Sequence, residues 1–203
     1  MSNKKNLKAL LSPFFHDSII VYIEDLIDLH KVEFILSKPR KTKLGDYRAM
    51  PQKNRFIITV NNDLNPVQFL ITVLHEIAHH VTFTKYKNLV KPHGVEWKQE
   101  YQRIFMPLIL NENIEGSLKK MFAAHIQNPK ATSYSDVHLN DYLISTFNPS
   151  VKRVADAPMN KPFVLGNRTF VKEKKLRTRY LCVDLNNNKK YLIHGHTELE
   201  EEK

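Results

Sequence analysis

A chain of 203 residues that is 42% hydrophobic and 10% aromatic is long enough to bury a core and too apolar for wholesale disorder. Its single cysteine, Cys182, excludes an internal disulfide framework and a cysteine-rich metal site within one molecule. The formal net charge of +10, with a pI near 9.6, favours acidic partners such as nucleic acid, but no nucleic-acid-reading motif accompanies it.

Lys4, Lys5 and Lys8 precede an apolar stretch that His16, Asp17, Glu24, Asp25 and Asp28 interrupt, which does not read as a signal peptide. No run reaches the roughly 18 apolar residues of a membrane helix, so a cytoplasmic protein without membrane association is expected. Ser12 and Pro13 read as an N-cap and first helical residue, and Ile19, Ile20, Ile23, Leu26, Ile27 and His30 recur at the spacing of an amphipathic helix. β-Branched and aromatic residues predict strands over 32–36, around Leu44 to Tyr47, and over 55–60, together a small antiparallel sheet. Asn65, Pro66 and Gln68 then form a helix-start signature, and Val67, Leu70, Val73, Leu74, Ile77, Ala78 and Val81 give one apolar face to a long helix running to about Phe83.

A further helix is predicted across 92–105, with Trp97, Tyr101, Ile104 and Phe105 as core, followed by helices across 111–145 that Pro129 and the Thr132–Ser135 cluster interrupt. Asn148, Pro149, Ala157, Pro158 and Pro162 mark a linker, dividing the chain into 1–147 and 148–203. Beyond it, short strands are expected over 163–171, 177–183 and 190–194, with Asn186, Asn187 and Asn188 as a turn and Phe163, Phe170, Tyr180, Leu181, Tyr191 and Leu192 as packing residues. Glu200 to Lys203 reads as a frayed end.

The chemistry centres on His75-Glu76-Ile77-Ala78-His79 within the long helix, an HExxH pattern. Residues four apart stack on one helix face, so both imidazoles reach one zinc ion while Glu76 sits beside them as general base. A catalytic zinc takes a third protein ligand. His93, between Pro92 and Gly94 at the start of the next helix, is the leading candidate, with Glu96, Glu100, His125, His138, His194 and His196 as alternatives. His80 points about 100 degrees away around the helix and does not share the ion. Tyr86 and Tyr101 are close enough in sequence to be considered as oxyanion stabilisers.

The stretch from Leu74 to Trp97, in which the histidine pattern is followed by His93, Gly94, Val95, Glu96 and Trp97, resembles the SprT-like metalloproteases, which include the Spartan proteases. Leu44 to Tyr47 and Ile57 to Leu64 also look like that family's sheet segments, so the likeness covers about residues 15 to 125. It implies an α+β minimal zincin over 1–147, His93 as third ligand, and a zinc peptidase cutting protein substrates that can be DNA-associated. The tail is similar in outline to the family's zinc ribbon, but only Cys182 remains of its cysteines, so one zinc ion is expected rather than two. Arg168, Lys172, Lys174, Lys175, Arg177 and Arg179 form a dense basic run there, a candidate phosphate grip. Two other functions fit the same residues: a nucleic-acid-associated protein that keeps zinc for structure with little or no proteolysis, and a metallohydrolase acting on a non-peptide bond. The sequence is silent on oligomeric state.

Overall fold

A computed structural model of the chain describes residues 2–130 and 136–199. Its fold is α+β, with six α-helices and two sheets among the described residues. Contacts divide it into two compact units, Met1–Leu143 and Ile144–Lys203.

The first unit begins with α1 (Ser2–Leu11) and α2 (Asp17–Leu29). The Ser12–Pro13 pair does not start a helix. His16 is the N-cap of α2, its side chain accepting the Ser18 N–H, while Phe14 and Phe15 are held in a turn by bonds to the Leu11 carbonyl. A proline signal marks a possible helix start, and a competing cap three residues later takes it. The isoleucine face of α2 is buried as its spacing predicts.

Three strands follow: β1 (Glu33–Ser37), β2 (Gly45–Met50) and β3 (Arg55–Asn61), in spatial order β1-β3-β2. The sheet is mixed rather than antiparallel, because β3 slots between the other two: it runs antiparallel to β2 and parallel to β1. The 38–44 loop crosses the end of β3, and Arg40 pins it there through Asn61 Oδ1 at 2.7 Å and Thr59 Oγ1 at 3.0 Å. Buried Asn61 returns bonds to the Arg40 and Lys43 carbonyls, leaving its amide satisfied.

α3 (Pro66–Tyr86) is the central element, packing on α4 (Val95–Leu110), β2 and β3. Its start follows the predicted signature: Asn65 Oδ1 accepts the Gln68 N–H at 2.9 Å and Pro66 occupies the first turn, an arrangement whose side-chain cap contributes about 1 kcal/mol. All seven predicted apolar-face residues are buried, as are Trp97, Tyr101, Ile104 and Phe105 on α4. α5 (Gly116–Gln127) packs on α4, and α6 (Val137–Phe147) follows. The Thr132–Ser135 cluster and Glu200 to Lys203 lie outside the described residues.

The second unit is a four-stranded antiparallel meander of β4 (Pro162–Leu165), β5 (Arg168–Lys175), β6 (Arg179–Asp184) and β7 (Lys190–His194). The stretch expected as one strand over 163–171 is a hairpin, broken where Gly166 adopts φ +60°. Val154, Phe163, Phe170, Tyr180 and Cys182 form its core. Leu181 and Leu192 alternate away from this core, while Cys182, next to Leu181 on β6, points into it. No helix among the described residues is long and apolar enough to cross a membrane.

Candidate metal centre

His75 and His79 project from one turn of α3, and His93 comes from the turn before α4. The three half-buried rings meet at their Nε2 atoms: 3.1 Å between His75 and His79, 3.0 Å between His79 and His93, and 3.0 Å between His93 and His75. Three imidazole nitrogens facing one another cannot all be satisfied by hydrogen bonds, because each neutral ring has one N–H and one lone pair. Such a donor set can hold a metal ion.

His93 reaches this point because its backbone is left-handed, with φ +57°, a region His enters more readily than most residues. The turn closes with the Gly94 N–H donating to the Lys91 carbonyl at 2.9 Å, and a Cβ on residue 94 would lie 2.9 Å from that same oxygen. Gly94 is therefore fixed by space. Burial, followed by the neighbouring imidazoles, pushes His75 down to about 2 and His79 to about 4, and burial also lowers His93, so all three rings are neutral near pH 7 as metal ligands must be.

Glu76, the residue after His75 on α3, packs against the start of β2. Burial raises its carboxyl to about 8, Asp46 adds to this, and Arg40, Lys43 and the Tyr47 amide oppose it. Gly45 at the start of β2 lies against it: a Cβ there would sit 2.7 Å from Glu76 Oε1 and 2.7 Å from Thr72 Cγ2. The positioning role of Gly45 is not evident from the sequence, though a glycine inside a strand pattern is the signal of close backbone approach. Beside His79 a cleft of about 530 Å³ opens between Tyr47, Phe83, Lys87 and Pro92.

His80, Glu100 and His125 have other partners. His80 is buried against Phe56 and bonds the Tyr47 hydroxyl at 3.1 Å. Glu100 pairs with Lys85 and Arg103, and His125 is bonded between Tyr101 and Asp136. Tyr101 is fully committed inside the core and does not line the cleft, and His194 and His196 lie in the second unit. The side chain of His138 is outside the described residues. Of the basic run, Lys172 is buried, its Nζ donating to the Val154 and Ala155 carbonyls at 2.7 and 3.2 Å over the Tyr180 ring. Arg168 is paired with the buried Asp184. Lys174, Lys175, Arg177 and Arg179 are exposed around the β5–β6 turn.

An α+β unit in which a central helix and the following turn bring three imidazoles together defines a domain able to hold one metal ion. The chain belongs to the SprT-like family, whose family model matches residues 10–117, a span that includes all three histidines and Glu76. Membership suggests a metallopeptidase-like or DNA-associated function. Comparisons with curated proteins and with solved structures find no match.

Proposed function

We propose that this protein is a zincin-like, zinc-dependent peptidase that hydrolyses peptide bonds in protein substrates in the cytoplasm. The observation that carries the reading is the triangle of Nε2 atoms with Glu76 on the same helical turn as His75 and His79. A tetrahedral zinc site with bonds of about 2.0–2.1 Å has ligand-to-ligand edges of about 3.3–3.4 Å. The observed edges of 3.0–3.1 Å are within a few tenths of this, so the residues fit one zinc ion.

Zinc in such a site supplies Lewis acidity, polarising a carbonyl and letting water lose a proton near neutral pH. His75, His79 and His93 would hold it as neutral ligands. Glu76 would take the proton from the attacking water on a carboxylate oxygen and pass it to the leaving nitrogen. A cation held by the adjacent imidazoles favours its ionised form, offsetting the burial that otherwise raises it. The cleft beside His79, open between β2 and the α3–α4 connection, suits an extended polypeptide.

The exposed Lys174, Lys175, Arg177 and Arg179 would contact nucleic-acid phosphates and bring DNA-associated substrates close. The deciding experiment is Glu76→Gln assayed on fluorescein-labelled casein with zinc content measured in parallel. Hydrolysis should be lost with zinc retained. Activity equal to wild type in the Gln variant removes Glu76 as the base, and a wild type that binds zinc but cleaves nothing favours a structural metal.

A further inference from the structure

Behind the three imidazoles stands a continuous set of buried groups that none of the chemistry above uses. Trp97 contacts every ring of the triangle, with centroids 4.7 Å from His75, 5.3 Å from His79 and 4.8 Å from His93. Tyr101, one turn further along α4, stacks on Trp97 at 5.0 Å with the planes 11° apart. The Tyr101 hydroxyl is 2.8 Å from His125 Nε2 on α5, and His125 Nδ1 is 2.6 Å from Asp136 Oδ2. The other oxygen, Asp136 Oδ1, accepts the Leu139 N–H in the first turn of α6 at 3.1 Å.

The carboxylate at its end sets the direction of the last bond. A carboxylate only accepts, so His125 donates through Nδ1–H; with a neutral ring, Nε2 accepts the Tyr101 O–H. The polar side chains of Tyr101, His125 and Asp136 thus all have partners, whereas the buried Trp97 indole N–H has none among the described residues. Metal-binding histidines are ordinarily oriented through hydrogen bonds to their second ring nitrogen. Here the hydrogen-bond contacts that the described residues make with these rings are the Nε2 approaches themselves, so ring orientation rests on packing against Trp97.

We infer that Tyr101, His125 and Asp136 are positioning residues for the metal site: a hydrogen-bonded strut from α6 through α5 that braces the Trp97 slab and so holds the three imidazoles converged. Tyr101 lies within the stretch matched by the family model, residues 10–117, and His125 and Asp136 lie beyond it. The inference rests on the three histidines holding a metal, and not on the identity of the bond hydrolysed.

The test uses zinc and the full chain. Tyr101→Phe removes one oxygen and keeps the stack, and Asp136→Asn removes the charge that orders the line. Ile23→Ala, a truncation in the α2 core, serves as a control for general destabilisation. Zinc affinity is measured by competition with a chromophoric chelator, thermal stability on metal-free protein, and local packing from the emission of Trp97, the chain's single tryptophan. Both site variants should weaken zinc roughly tenfold or more, as loss of an orienting partner does, and shift Trp97 emission. The control should lose thermal stability with zinc affinity unchanged. Zinc affinity within twofold of wild type in Tyr101→Phe, with stability lowered as in the control, would reduce the strut to ordinary core and overturn the inference. A wild type that binds no zinc would instead sink the metal-site reading on which it stands.

Discussion

Replacing Gly45 with alanine places a methyl 2.7 Å from Glu76 Oε1, 2.7 Å from Thr72 Cγ2 and 2.9 Å from Glu76 Cγ. Ordinary contact begins near 3.4 Å, so the Glu76 carboxylate, the Thr72 methyl or the β2 backbone must retreat by about 0.7 Å. Forced overpacking of this size costs about 1–3 kcal/mol of stability. Misplacing a reacting group by about 1 Å costs on the order of 100-fold in rate, so kcat on labelled casein should fall roughly 10- to 100-fold. Zinc affinity should not change, because Gly45 meets Glu76 and Thr72 and none of the three clustered histidines. A double variant separates the two clashes. Thr72→Ser removes the Cγ2 methyl while keeping the hydroxyl bond to the Gln68 carbonyl, so Gly45→Ala with Thr72→Ser should recover thermal stability but not activity. If Gly45→Ala alone retains both stability and kcat within threefold of wild type, the close approach of β2 does not set the position of Glu76.

Burial holds His75 near 2 and His79 and His80 near 4, whereas an unfolded imidazole titrates at about 6.5. The unfolded chain therefore binds more protons between these values, and the melting temperature of metal-free protein should fall as pH drops from about 7 toward 4 at constant ionic strength. A flat profile would contradict the burial. Lys172→Met should destabilise the second unit by about 1–3 kcal/mol in urea titrations, because the Val154 and Ala155 carbonyls lose their donor, and an unchanged midpoint would show that they find another. Replacing Lys174, Lys175, Arg177 and Arg179 by alanine should weaken electrophoretic shifts of duplex DNA and flatten their salt dependence. An unchanged salt slope in this four-residue variant would remove the turn as the phosphate contact.

The long helix, its cap and its buried face were legible in the sequence because each rests on local chemistry: an Asn-Pro start, a helical apolar period, and two histidines that must share a face when four residues apart. His93 was legible as a candidate by its neighbours, and the close Lys91 carbonyl explains why glycine follows it. The parallel pairing of β1 with β3 was not, since nothing in either strand records that a third strand would be slotted between β1 and β2. Nor could the basic run be sorted in advance. Charge is written in the sequence, but whether Lys172 meets water or two carbonyls depends on which side of β5 lies against 154–155. The residue types of the candidate cluster and the spacing of its two helical histidines were thus legible from residue order alone. Only the folded chain decided that Gly45 abuts Glu76 and that Asp136 supports Tyr101 from a distance of 35 positions, because non-local proximity follows from how helices and strands pack rather than from any one segment's preferences.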